Sequence, residues 1–124
     1  MRPPADEEVL EPEEAARVIK RAPEAVAVGI ERRVGLASDN AAEILGATAM
    51  LARDPGLIDG AIAYASAGKG PASAIDAATQ EYVDQFVELG GYFAERATGL
   101  RDVGDRSIAF VLGVRSPGIP ELDV

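Results

Sequence analysis

Residues 71–91 read PASAIDAATQEYVDQFVELGG and carry the clearest signal for the fold. Proline suits the first position of a helix, where its missing N–H costs nothing, and Gly90-Gly91 is a typical helix end. Between these ends the apolar side chains recur at helical rather than alternating spacing. The stretch therefore predicts a helix that ends at the glycine pair, with apolar positions at Ile75, Ala78, Tyr82, Phe86 and Leu89.

A helical pattern also precedes this stretch, from Glu13 to Val34, and Gly35 closes it. The acids at its start suit a first helical turn, because they face the positive end of the helix dipole. Pro23 lies inside the run, where it lacks the N–H for a backbone hydrogen bond and clashes with the preceding turn. We therefore expect a kink or a break near Ala22.

Two further patterns complete the helical part of the chain. Ser38-Asp39-Asn40 offers N-caps for a second helix. At Asp54-Pro55 this helix stops and restarts, since Asp54 can cap and Pro55 fits a first helical position. The short piece that follows runs to about Ala67, and the tight connection makes it an elbow that continues its predecessor. A last helix presents apolar residues from Phe93 onward and stops at Gly113.

No stretch shows sustained two-residue alternation, so no sheet is expected. Short loops favour antiparallel neighbours. The sequence therefore predicts an all-α, up-down bundle of four main helices, the second with a kinked short extension near Asp54-Pro55. Residues 1–12 are expected to form a flexible acidic lead-in, residues 13–113 the helical domain, and the Pro- and Gly-containing residues 114–124 a linker.

Composition excludes several classes of function. The 124 residues include no histidine and no cysteine, which removes the commonest general base, the commonest metal ligand and all thiolate chemistry. The net charge of −9 disfavours a nucleic-acid or anionic-membrane partner, because phosphate binding needs a basic face. Acidity would steer a basic protein partner towards the domain, or it would serve solubility alone. No catalytic residue and no metal site are expected.

Other polar sets have ordinary readings beside functional ones. Gly68-Lys69-Gly70 is a candidate phosphate loop, but it lacks the Walker spacing and a preceding strand, so a plain loop is the alternative. Adjacent acids such as Glu13-Glu14 fit a solvated face better than an acid–base pair. Asp102 and Arg106 lie four residues apart and can pair. On the second helix, Met50 turns away from the face that Ile44, Thr48 and Leu51 share, so some apolar surface there is available to a partner.

Two stretches resemble Enzyme I of the bacterial phosphoenolpyruvate-dependent sugar phosphotransferase system. The first is Ala42-Glu43-Ile44-Leu45 with Met50-Leu51-Ala52-Arg53-Asp54-Pro55-Gly56-Leu57. The second is Tyr92-Phe93-Ala94-Glu95-Arg96-Ala97 with Leu100-Arg101-Asp102-Val103-Gly104-Asp105-Arg106. The likeness covers about residues 38–124. Thr48 stands where the family often has a histidine, and Gly56 replaces an acid.

This resemblance implies that the chain is the helical subdomain of such an enzyme, which docks the phosphocarrier protein HPr. The enzyme, a cytoplasmic transferase, passes phosphate from its own phosphohistidine to HPr during sugar uptake. Both that histidine and the magnesium cofactor belong to other parts of the enzyme. The resemblance therefore implies that this chain binds HPr, and the remainder of Enzyme I, but does not itself transfer phosphate.

By position, the resemblance assigns HPr docking to eight residues: Ile44, Thr48, Met50, Leu51, Leu57, Phe86, Phe93 and Arg96. The first five lie on the second helix and its elbow, and the other three on the two later helices. The alternative hypothesis is an acidic structural bundle with an unrelated protein partner.

Overall fold

A computed structural model describes residue 3 and residues 7–34 and 38–115. Within these ranges the chain forms five helices and no strand, which confirms the all-α bundle. The second main helix and its elbow are separate helices joined at Arg53-Asp54. The helices are α1 (Pro12–Val34), α2 (Asp39–Ala52), α3 (Pro55–Ser66), α4 (Pro71–Leu89) and α5 (Gly91–Arg115).

The helix ends follow the local rules that the sequence suggested. The Ser38 hydroxyl accepts a hydrogen bond from the Ala41 amide at 3.4 Å, and this side chain caps α2. Asp54 caps α3 by accepting the Leu57 amide at 3.1 Å. Gly90 and Gly91 have φ values of 71° and 53°, which side chains with a Cβ rarely adopt. The predicted caps and the turn between α4 and α5 are confirmed.

Two boundaries differ from expectation. α1 runs unbroken through Pro23, so the alternative of a break near Ala22 is wrong. Pro23 is buried, and it lines a small cavity with Ile19 and Leu57, so tertiary packing retains the helix despite the missing N–H. α5 continues to Arg115 instead of stopping at Gly113. The predicted helix end at Gly35, most of the lead-in (residues 1, 2 and 4–6) and residues 116–124 of the linker lie outside the described residues.

The helices pack as antiparallel neighbours, as contacts between α4 and α5 illustrate. The rings of Phe86 and Phe93 meet near the turn, with their centroids 5.5 Å apart. Further along, Arg101 forms an ion pair of 2.9 Å with Asp76. Sequence numbers therefore rise on one helix as they fall on the other. α1 contacts all four other helices and closes the bundle.

Small residues let α4 and α5 approach closely. A Cβ added at Gly104 would lie 2.5 Å from Cγ2 and 2.7 Å from Oγ1 of Thr79. Thr79 is fully buried, and its hydroxyl has no hydrogen-bond partner among the described residues. The core around this contact is built mainly from alanine and aliphatic side chains. Because such side chains are thin, the helices can approach closely and α4 can position aromatic residues against α5.

Arg53 ties the end of α2 to α1 by a double bridge. Its guanidinium donates to both carboxylate oxygens of Glu24 at 2.9 Å, and also to both oxygens of Glu31. These hydrogen bonds hold the pKa of each glutamate below its ordinary value. The same bonds raise the pKa of Arg53, so the guanidinium and both carboxylates are charged throughout the neutral range.

Part of the segment before α1 also contacts the bundle. The Glu7 carboxylate accepts hydrogen bonds from the amides of Ala72 at 2.7 Å and Ser73 at 2.8 Å. These amides belong to the first turn of α4, where backbone donors have no partner within the helix. Leu10, three residues after Glu7 in the chain, packs against the core. Glu7 thus takes the place of a local cap, because Gly70 has no side chain to offer.

Candidate docking surface

Four aromatic side chains form a continuous cluster across the α4–α5 turn. Tyr82 lies 6.4 Å from Phe86, which meets Phe93 edge-on at 5.5 Å, and Phe93 meets Tyr92 edge-on at 5.6 Å. We call Tyr82, Phe86, Tyr92 and Phe93 the aromatic cluster. Its inner members are partly buried, whereas Phe93 is 44% exposed and Tyr92 60% exposed. The cluster therefore has one anchored end and one end that faces solvent.

The predicted residues of α2 differ in how much surface they offer. Ile44 is 55% exposed and Met50 75% exposed. Six residues of helix separate them by about 120° around the axis, so they do not share a stripe. Thr48 faces α5, where its Oγ1 would lie 3.4 Å from a Cβ added at Gly99. Leu51 is partly buried and packs against the larger core cluster.

Leu57 stands apart from the other predicted residues. Only 6% of it is exposed, and it belongs to the core cluster with Ile75 and Leu100. A partner cannot reach this side chain without opening the bundle. Its place is therefore beneath the surface, where it holds α3 against the core.

Arg96 joins the aromatic cluster through its guanidinium. The guanidinium carbon lies 4.6 Å from the centroid of the Tyr92 ring, within range of a cation–π interaction. Its Nε is buried and has no hydrogen-bond partner among the described residues. An unpaired buried donor is costly, and the contact of the guanidinium with the Tyr92 ring offsets part of that cost. Arg96 therefore lies against the aromatic cluster, which includes the predicted residues Phe86 and Phe93, at one end of the α4–α5 hairpin.

Arg101, five residues beyond Arg96 on α5, bonds to polar side chains away from the cluster. It donates to Asp76, to Gln80 and to Asp105. The predicted pair of Asp102 and Arg106 is present, with Oδ2 and Nε 2.8 Å apart. This part of α5 is thus held by ion pairs across and along the helices.

A hydrogen bond links the aromatic cluster to the α2–α3 connection. The Tyr82 hydroxyl donates to Oδ2 of Asp54 at 2.9 Å, the same oxygen that caps α3. Burial and this hydrogen bond raise the pKa of Tyr82 to about 12. A Cβ at Gly56 would collide with the Tyr82 hydroxyl, so the glycine found there leaves room for it. No sequence pattern indicates this contact, because its residues lie 28 positions apart.

The other predicted alternatives find no functional geometry. The Gly68-Lys69-Gly70 loop precedes amides that Glu7 already binds, so the anion site at the start of α4 is filled by a carboxylate of the same chain. Among the described residues, no group of three or more acidic side chains is placed to hold a metal ion. Of the helices that the structure describes, none is long and apolar enough to cross a membrane.

Comparison with known proteins places these features in a family. The model for the family described as PEP-utilising enzyme, N-terminal, matches residues 2–96. The chain is also 36% identical over 104 residues to a phosphoenolpyruvate-protein phosphotransferase of Streptomyces coelicolor. That match covers 84% of this chain but only 19% of the relative, so the chain spans about a fifth of the relative's length. The matched region includes the whole of α1 to α4 and the start of α5, and the chain therefore belongs to the PEP-utilising enzyme N-terminal family.

Proposed function

We propose that this domain docks the phosphocarrier protein HPr on behalf of an Enzyme I, in the cytoplasm, so that the complete enzyme can pass it a phosphoryl group. The relative's name supports the reaction class, because that protein is a phosphoenolpyruvate-protein phosphotransferase. The resemblance of two α2 and α5 motifs to Enzyme I supports the choice of partner. Docking contributes to transfer by proximity, since it holds the two reacting groups together.

The aromatic cluster is the observation that carries the proposal. Phe93 and Tyr92 expose large apolar surface beside the guanidinium of Arg96. This cation stacks on the Tyr92 ring and is therefore only partly solvated. Aromatic, methionine and arginine side chains are enriched at the centres of protein interfaces. The proposed surface therefore has Phe86, Phe93 and Arg96 at its centre, with the exposed Met50 and Ile44 of α2 as further contacts.

Charge supports a basic partner. The chain carries 21 acidic and 12 basic residues, so its net field attracts a positively charged surface. Association with such a partner should slow as salt is added, because exposed charges are screened beyond a Debye length of about 8 Å at physiological ionic strength. An association rate that is indifferent to salt would contradict steering.

The docking experiment is a titration of isotope-labelled domain with purified HPr. Shifts should concentrate at the aromatic cluster and on α2. Phe93→Ala should weaken binding roughly tenfold or more, as is typical of a central aromatic anchor. Val87→Ala is the matched control, because Val87 is 57% exposed on the same hairpin but lines its other side with Arg101 and Asp105. Equal effects of the two changes, or shifts elsewhere, would refute the assignment.

A second variant separates docking from a purely structural role. Leu51 is unsuitable, because it packs partly against the core and a charge there would disturb folding. Met50 is 75% exposed, so Met50→Asp should leave the helical signal in circular dichroism unchanged while HPr binding is lost. If the variant binds HPr normally, α2 does not take part. If it unfolds, the alternative of an acidic structural bundle gains support.

The proposal assigns phosphoryl transfer to the rest of the enzyme. The chain has no histidine to accept phosphate. Incubation with phosphoenolpyruvate and magnesium, followed by mass measurement, should therefore leave its mass unchanged. An added phosphate would show that the domain has chemistry of its own.

A further inference from the structure

A shallow groove between α1 and the second half of α5 consists of two adjoining hollows, which share Ala25, Gly29 and Phe110. Phe110 lies along it on α5, and small or apolar residues of α1 face the phenyl ring across the groove. Its rim is built from arginines of both helices. We call it the arginine groove and define it by Arg21, Gly29, Arg32, Arg33, Arg106 and Phe110.

The charge of the arginine groove opposes that of the whole chain. Four of the 12 basic residues line it, although acids outnumber bases by 21 to 12. The one acid in its lining is Glu24, and Arg53 already binds that carboxylate. The groove therefore presents a local positive field on a protein whose net charge is negative.

Intramolecular contacts account for only part of this cluster. Arg106 pairs with Asp102 at 2.8 Å. Arg32 and Arg33 lie in the last turn of α1, where cations offset the negative end of the helix dipole. Arg21 lies in the middle of α1, with its guanidinium carbon 5.9 Å from the centroid of the Phe110 ring. Among the described residues, Arg21, Arg32 and Arg33 form no ion pair, in contrast to Arg53 at the end of α2.

We propose that the arginine groove binds an acidic, partly apolar protein segment, such as a helix with carboxylates along one side. Arginine forks match carboxylates in a bidentate geometry, and Phe110 offers an apolar floor between them. A polyanion such as RNA fits less well, because its phosphates would extend past the groove and meet the field of the 21 acids, whereas a short acidic segment can keep its carboxylates beside the arginines.

This surface is distinct from the one proposed for HPr. The arginine groove shares no residue with the aromatic cluster or with the α2 positions, and its charge selects for a partner of the opposite sign to HPr. The domain would therefore carry two contacts at once. Failure at one surface says nothing against the other, so the two proposals can be tested separately.

The test uses the whole chain and a synthetic helical peptide of about four turns, with glutamate on one side and leucine on the other. Addition of the peptide should shift the amide signals of Gly29 and Phe110, and the shifts should diminish with salt. A peptide with glutamine in place of glutamate should bind weakly. No binding of the glutamate peptide, or shifts centred on Phe93, would overturn the proposal.

Charge reversal identifies the contacts. Arg32→Glu should weaken the peptide by roughly fivefold or more, since an attraction becomes a repulsion at the rim. Lys69→Glu makes the same change in net charge in the α3–α4 loop and should have little effect. Arg21→Gln, which adds no negative charge, should also weaken binding. Equal weakening by the Lys69 variant, or equally tight binding of a single-stranded oligonucleotide, would refute the assignment. HPr binding should survive Arg32→Glu.

Discussion

Replacement of Gly104 by alanine should destabilise the domain, because the glycine allows α4 and α5 their closest approach. The new Cβ would lie 2.5 Å from Thr79 Cγ2, 2.7 Å from its Oγ1 and 2.9 Å from its Cβ. Distances below 3.0 Å between such atoms are not tolerated, so one of the two side chains or helices must move. Thr79 is fully buried and β-branched, which leaves its χ1 angle little freedom to give way.

The expected loss follows from two opposing terms. Overpacking of a filled core costs about 1–3 kcal/mol. Alanine is favoured over glycine inside a helix by about 0.5–1 kcal/mol, which offsets part of that cost. The midpoints of these ranges, about 2 and about 0.75 kcal/mol, leave a fall in the free energy of unfolding of about 1 kcal/mol. For a domain of this size, such a loss lowers the melting temperature by roughly 3–6 °C.

Urea denaturation followed by circular dichroism measures this difference. Gly29→Ala in the middle of α1 is the matched control, because no described atom lies within 4 Å of the Cβ it adds. That variant should be as stable as the parent or slightly more stable. Thr79→Ala should relieve the collision, so Gly104→Ala should cost less in its background. If Gly104→Ala behaves like the control, or if Thr79→Ala brings no relief, the close approach of α4 and α5 is wrong.

Three further outcomes are expected. Tyr82→Phe should lower the free energy of unfolding by about 0.5–1.5 kcal/mol, because Asp54 loses one hydrogen-bond donor, and it should leave the helical content intact. An unchanged free energy of unfolding would mean that the hydrogen bond is absent in solution. Arg53→Gln should lower the free energy of unfolding at neutral pH, and this deficit should shrink in a series of denaturation curves as the pH falls below 4.5. The pKa values of its two glutamate partners are depressed in the fold, so their contribution to stability disappears when they are protonated. A deficit that is constant with pH would contradict the bridge. Glu7→Ala should cost about 0.5–2 kcal/mol in the same assay, as the loss of an N-cap does, and unchanged stability would show that its bonds to α4 contribute nothing.

The parts of the fold that local rules govern were accessible from the sequence. Ser38, Asp54 and Gly90 each act within four residues of their own position, so the residue type alone predicts the cap or turn. Pro23 breaks the rule, because the outcome depends on what packs around α1. Its burial in the core is a tertiary property that a local pattern does not contain.

The candidate surface was accessible in outline. Helical spacing placed Met50 away from Thr48 and Leu51, and Met50 proves to be largely exposed. Spacing could not place Leu57 beneath the surface, since that depends on how α3 folds back on the bundle. It also missed the bond from Tyr82 to Asp54, because the residues that form it lie on separate helices.

The bonds from Glu7 to α4 bear on where the independently folding unit begins. A fragment trimmed to start at Pro12, where the first helix begins, would contain every helix of the bundle. It would nevertheless leave two amides of α4 without their carboxylate and remove Leu10 from the core. Tolerance to truncation depends on such buried and bonded atoms rather than on helix limits. The smallest stable fragment should therefore include the residues from Glu7 onward, although they form no regular structure before α1.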